Sequence, residues 1–157
     1  MATMRSGKAA ASVRRILVPV DFSAASRRAA LFAFALARQL HCEVRCTTVV
    51  DVSDLRIAMR AGLHDFETNE DVQRQVREWI DGEFDKLTAR SGVDVQREVR
   101  RGIPEQEILK AVGRYKPDLI VMGSTGVARR IPLGSTTGLV MRKTNVPALV
   151  VRPLGRT

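Results

Sequence analysis

The sequence predicts a single doubly wound α/β domain built on a five-stranded parallel sheet. Three observations carry this. Five short apolar, β-branched runs alternate with segments of helical period, giving the order β-α-β-α-β-α-β-α-β. The segments between successive runs are long enough for the crossovers that parallel strands require. The chain has 157 residues, of which 45% are hydrophobic and 27% charged, which is one domain's worth of ordinary globular sequence.

The elements follow in order. Arg15-Ile16-Leu17-Val18-Pro19-Val20 reads as a buried strand stopped by Asp21, and Ser23 is placed to cap the helix that follows. From Ala24 to Leu40 the chain is rich in Ala and Leu with Phe32 and Phe34, while Arg27, Arg28, Arg38 and Gln39 mark its polar side, and this nearly apolar circumference suggests a helix buried against the sheet. Val44 to Val50 is the second strand, closed by Asp51-Val52-Ser53-Asp54. Leu55 to Glu70 has no clear period and is expected to be an irregular or short helical connection, placed where it could act as a lid. Val72, Val76, Trp79, Ile80, Phe84 and Leu87 form the stripe of an amphipathic helix that stops at Gly92.

The alternation Val93, Val95, Val99 is a half-exposed strand, and Pro104 opens a helix carrying Ile108, Leu109 and Val112 on one face. Asp118 to Met122 is a fully buried strand. A Gly-rich loop, a short helix around Thr136 to Lys143 and a last strand from Pro147 to Val151 complete the domain, expected over residues 14–153. Residues 1–13 are basic and Ala-rich, with too little apolar surface to order them, and are expected to be a mobile tail.

Composition narrows the class of function. The longest mostly apolar stretch, Ala29 to Ala37, is far short of a bilayer span, so no membrane association is expected. No signal-peptide core precedes Arg15, and the two cysteines, Cys42 and Cys46, fit neither a disulfide framework nor a C-x-x-C pair. A cytoplasmic protein with reduced thiols is expected. The formal charge of +9 predicts a general attraction to anions. Dispersed cations and one Tyr and one Trp argue against specific nucleic-acid recognition.

Ligands of open parallel sheets bind outside the carboxyl ends of the strands, where the winding reverses. Asp21, Val50, Asp51, Gly102 and Gly123 stand at those ends. The segment Met122-Gly123-Ser124-Thr125-Gly126, then Gly134-Ser135-Thr136-Thr137-Gly138, brackets a loop with glycines and hydroxyls and opens a helix. Glycine lets amides approach an oxyanion, and a helix start offers unpaired N–H donors, so this pattern suits phosphate. Arg129 and Arg130 lie in the loop between. The plainer roles are that Gly123 ends a strand, Ser135 caps a helix, and Asp21 complements a helix dipole. Neither a Walker loop nor G-x-G-x-x-G is present. No triad, zinc site or positioned general base can be assembled from His41 and His64, so no catalytic or metal-ligating residue is expected, and at most slow incidental ATP hydrolysis.

These residues resemble the universal stress proteins over roughly Arg14 to Arg152. The resemblance rests on Ile16 to Ser23 (ILVPVDFS), Asp118 to Gly126 (DLIVMGSTG), Gly134-Ser135, and Val146 to Val151 (VPALVV). It implies a flavodoxin-like or Rossmann-like sheet of order 3-2-1-4-5 and a stress-response protein that binds ATP or a related adenine nucleotide with Mg²⁺. Carried over by position, Gly123, Gly126, Gly134 and Ser135 would hold phosphates and ribose, with Thr125, Thr136 and Thr137 as further donors. Asp21 would face the adenosine half, and Pro19, Val20, Val49 and Met122 would border it. The resemblance also implies a homodimer through the last, edge strand, whose apolar edge would otherwise be a liability. The family's glycine pattern sets nine residues between its second and third glycines, whereas Gly126 and Gly134 are separated by seven, Val127 to Leu133. The alternative is the same fold with a vestigial site, acting as a protein-interaction module.

Overall fold

The computed structural model describes residues 12–50, 70–124 and 133–154. The expected lid at Leu55 to Glu70 therefore lies, except for Glu70, outside the described residues, as do nearly all of the tail and most of the glycine loop. The elements are β1 (Arg15–Pro19), α1 (Ala24–Leu40), β2 (Glu43–Val50), α2 (Glu70–Thr88), β3 (Val95–Arg101), α3 (Pro104–Tyr115), β4 (Leu119–Gly123), α4 (Ser135–Lys143) and β5 (Ala148–Val151). All five strands are parallel in the order β3-β2-β1-β4-β5. This is the doubly wound, Rossmann-like sheet expected from sequence.

Strand pleating divides the core into two layers, because successive side chains leave a strand on opposite faces. Ile16, Val18 and Val20 of the first strand segment meet Ala29, Ala33 and Phe34 of α1 and Val76, Ile80 and Phe84 of α2. Leu17, Ile120 and Met122 face the other way, onto Ile108, Ala111 and Tyr115 of α3 and Val140 of α4. Fully buried side chains such as Phe34, Ile16 and Leu17 each contribute roughly 1.5–3 kcal/mol of transfer free energy.

Three details differ from the sequence expectation. Helix α1 is not buried all round: Leu31 and Phe32 are about half exposed, 55% and 48%, because only the alanine-lined face, Ala29, Ala30, Ala33 and Ala37, fits against the sheet. Strand β3 begins at Val95 rather than Val93, since Val93 belongs to a turn in which its carbonyl accepts from Ser91 Oγ at 2.8 Å. Strand β5 begins at Ala148, one residue after Pro147, which lacks the amide a ladder needs.

Candidate functional site

The winding reverses between β1 and β4. From β1 the chain turns through α1 to β2 on one side, and from β4 it turns through α4 to β5 on the other. The carboxyl ends of β1 and β4 therefore open a crevice between the two turns, flanked by the starts of α1 and α4.

The β1–α1 turn is built tightly. Phe22 holds a left-handed backbone, φ 60°, an arrangement unfavourable for a bulky residue. The conformation drives its ring into the core, where it meets Phe84 and Trp79 edge-on at centroid distances of 5.0 and 5.6 Å. On either side, Asp21 Oδ1 accepts from the Ser23 amide at 2.9 Å and from Ser26 Oγ at 2.8 Å, and Ser23 Oγ accepts from the Ser26 amide at 3.3 Å. Asp21 is exposed, yet one carboxylate oxygen is engaged in bracing the turn before α1, whose N-cap is Ser23.

Pro19 and Val20 are buried at the end of β1. The Val20 amide donates to the Thr47 carbonyl at 2.8 Å, and the Val20 carbonyl accepts from Thr48 Oγ1 at 2.9 Å, so what this backbone offers a ligand is a remaining carbonyl lone pair. Val49, half-buried, packs on the α3–α4 side together with Met122, which is 3% exposed. Thr48 gave no signal in sequence; a threonine in an apolar strand looks like an ordinary β-former.

Gly123 sits where α1 crosses β4. A Cβ there would lie 2.7 Å from the Ala25 carbonyl carbon and 2.9 Å from the Ser26 amide nitrogen, so packing alone demands glycine at this position. Its carbonyl accepts from Thr137 Oγ1 at 3.0 Å, and the next amide, Ser124, donates to the Val151 carbonyl at 3.0 Å. The Thr137 hydroxyl, 4% exposed as a residue, thus fastens the start of α4 to the end of β4. Thr125 and Gly126 lie outside the described residues, as do Arg129 and Arg130.

Helix α4 starts differently from its neighbours. The first turn of α1 receives the Ser23 hydroxyl, and the first turns of α2 and α3 carry the carboxylates of Glu70, Asp71, Glu105 and Glu107. The α4 start has Gly134 at its N-cap, no side-chain cap and no acidic residue, with Ser135 exposed and Thr136 half-buried. Uncapped amides and the positive end of the helix dipole give it affinity for an anion. The donor set of this crevice, amides and hydroxyls with one carboxylate at its β1 side, suits phosphate oxygens. Among the described residues no group of three or more His, Cys, Asp or Glu could hold a metal ion.

A network that sequence reasoning missed lies on the α3 side of β2 and β3. Arg100, whose side chain is 10% exposed, donates to Glu98 at 2.7 Å and Glu107 at 3.0 Å; Lys110 also pairs with Glu107, and Thr47 donates to Glu98. The alternation of charge in Glu98 and Arg100 reads as solvated strand, whereas the pair is covered by α3. A cavity of about 490 Å³ opens at the opposite end of the sheet, lined in part by Arg38, His41, Cys42 and Gln96, and none of the expected site residues lines it.

The sequence pattern of the universal stress protein family matches residues 12–152, and the chain belongs to that family. It is similar to Universal stress protein MJ0531 of Methanocaldococcus jannaschii, with 32% identity over 141 residues, 88% of this chain and 82% of the relative. The fold superposes on the solved structure of MJ0577 with a TM-score of 0.75 and 26% identity, covering 92% of this chain and 99% of that one. Two more distant structures show the same fold. One is a universal stress protein in complex with cAMP (TM-score 0.61, 21% identity, 89% of this chain, 97% of that one). The other, from Archaeoglobus fulgidus, is in complex with dAMP (TM-score 0.60, 17% identity, 90% of this chain, 98% of that one).

Proposed function

We propose that this chain binds an adenine nucleotide, ATP in the first instance, in the β1/β4 crevice, and acts as a homodimeric, cytoplasmic stress-response protein whose signal is the occupied state. The single observation that carries the reading is the start of α4 beside the end of β4: its N-cap is Gly134, and its first turn has neither side-chain cap nor carboxylate. An anion completes such a terminus. That two proteins of this fold hold cAMP and dAMP supports adenine as the base.

Ser135 and Thr136, with the amides of the first turn of α4, would hold phosphate oxygens. The rim of Val20, Val49 and Met122 would border the nucleoside. Mg²⁺ would arrive on the phosphates, with Asp21 the carboxylate that the β1 end offers it, and would neutralise part of their charge. The reading is one of binding, with at most slow incidental ATP hydrolysis.

Calorimetry with ATP and Mg²⁺ tests the reading, paired with mass spectrometry of the purified protein for retained nucleotide. Saturable binding that is abolished by Gly126→Val supports it. Absence of binding to ATP, AMP and cAMP alike would leave the vestigial-site reading, which the internal engagement of Asp21 and Thr137 favours.

A further inference from the structure

We propose that the end of the sheet opposite the crevice is a second anion-binding surface, one that takes the phosphate backbone of a nucleic-acid duplex without reading its sequence. The topology puts it there. Parallel strands start, and the helices finish, at this one end, so Arg14, Arg15 and Arg45 of the strand starts stand at the same end of the domain as Arg38, Arg114 and Arg142 of the helix ends. Helix C-termini contribute roughly −0.5 charge each, too little to neutralise that many cations.

Among the described residues none of these arginines is in an ion pair, although ion pairs are made elsewhere by Arg27, Arg74, Arg97 and Arg100. The described carboxylates at this end are fewer than the six arginines: Asp118, whose Oδ2 accepts from the backbone amides of Arg14 and Arg15 at 2.8 and 3.0 Å, Glu43, opposite Arg15 in the β1–β2 register, and Asp94, just before β3. The centre of the surface is built. Tyr115, 6% exposed, lies under two guanidinium groups, with Arg45 Cζ 4.3 Å and Arg15 Cζ 5.9 Å from its ring centroid. Gln96 Oε1 fixes Arg45 further, accepting from Nε at 3.1 Å and Nη2 at 2.8 Å. Two like charges held on one ring, neither of them paired with a described carboxylate, are prearranged for an anion.

The chemistry of the surface selects the partner. Centres of protein–protein interfaces are depleted in charge, whereas nucleic-acid interfaces are strongly positive. Attachment to a membrane surface takes Trp, Phe or Leu anchors beside the cations. Here the exposed large apolar side chains among the described residues are Leu40 at the end of α1 and Met141 at the end of α4, two single residues on different helices with no aromatic anchor beside them, and Trp79 packs against the core layer. With no exposed aromatic side chain at this end among the described residues to stack on bases, the surface reaches phosphates only.

The test is fluorescence anisotropy of the full chain with a labelled duplex DNA of about 20 base pairs, across about 50 to 200 mM salt. Binding is expected, with a log–log salt slope that falls by about two in Arg15→Gln/Arg45→Gln, one for each phosphate no longer neutralised. Arg114→Gln/Lys116→Gln, exposed and outside the Tyr115 stack, repeats the reading where packing is untouched, and should also lower the slope. Arg74→Gln/Arg77→Gln removes the same charge from the far end of α2 and should leave it unchanged. An equal fall in all three variants would reduce the effect to net charge and overturn the proposal. So would no duplex binding, or tighter binding to vesicles containing phosphatidylserine or to poly-glutamate than to the duplex. ATP affinity in the same variants should stay as in the parent, so loss of this surface and loss of the crevice site are separable.

Discussion

The Cα of Gly123 faces the Ala25 carbonyl group so closely that an added methyl would stand 2.7 Å from its carbon. Helix α1 and strand β4 therefore touch backbone to backbone at the mouth of the crevice. Gly123→Ala must push the start of α1 away, at a cost of about 1–3 kcal/mol for an overpacked site. The expected outcome is a lower chemical-denaturation midpoint together with weaker ATP binding, because the same shift displaces Asp21. Unchanged stability would show that α1 yields freely.

Thr137 joins α4 to that same residue. Thr137→Val keeps the shape and removes the hydroxyl, leaving the Gly123 carbonyl without this donor, for a loss of about 1 kcal/mol. Nucleotide affinity should fall as well, since the first turn of α4 loses its tether, while Thr136→Val should lower affinity with little change in stability. Calorimetry and thermal melts on the two variants separate a positioning hydroxyl from one that contacts phosphate.

The edge strand makes a separate prediction. Leu149 pairs with Val121 and is only half-buried, and β5 has no neighbour on its outer side among the described residues. Leu149→Asp should convert a dimer to a monomer on a sizing column with light scattering. A variant that remains dimeric would place the interface elsewhere, with the exposed Leu31 and Phe32 of α1 the next surface to change.

The thiols should differ in reactivity. Burial pushes Cys46 up to about 12, and burial likewise raises Cys42, which is only partly covered. In the folded protein at pH 8, a disulfide reagent should label Cys42 slowly and leave Cys46 untouched until unfolding. Rapid modification of both would mean that β2 opens readily.

Acid should weaken the link between α1 and α2. Hydrogen bonds from Arg27 and Lys86 hold the Glu83 carboxyl below its ordinary range, and Lys110 and Arg100 do the same for Glu107. A carboxylate whose folded-state value is depressed takes up protons more readily when unfolded. Its contribution is present above the unfolded value, about 4.3, and is lost as the pH falls through the folded one. Glu83→Gln should flatten that acid limb in denaturation measured from pH 6 downward; an unchanged limb would assign it to other groups.

Much of this fold was legible because its central strands β1 and β4 are buried on both faces and read as continuous apolar runs, and because its helices carry regular stripes. Ile16 to Val20 and Leu119 to Met122 were recognisable on those grounds, and the motifs around Asp21, Gly123 and Gly134 located the crevice. What the pattern misjudged was the face of α1, where Leu31 and Phe32 remain exposed, and the charges of Glu98 and Arg100, which look solvated in a linear string and are covered by α3, where Glu107 pairs with Arg100.

By itself, then, the sequence determined the order of elements and the parallel sheet, and it marked out the glycine-bracketed segment between β4 and α4, since periodicity and glycine spacing are local properties. Only the tertiary structure decided what each site residue is already doing. Asp21 braces the turn before α1, Gly123 makes room for that helix, Thr137 anchors α4, and Arg15 and Arg45 come together over Tyr115. Those roles depend on distances between segments that only the packed sheet brings together.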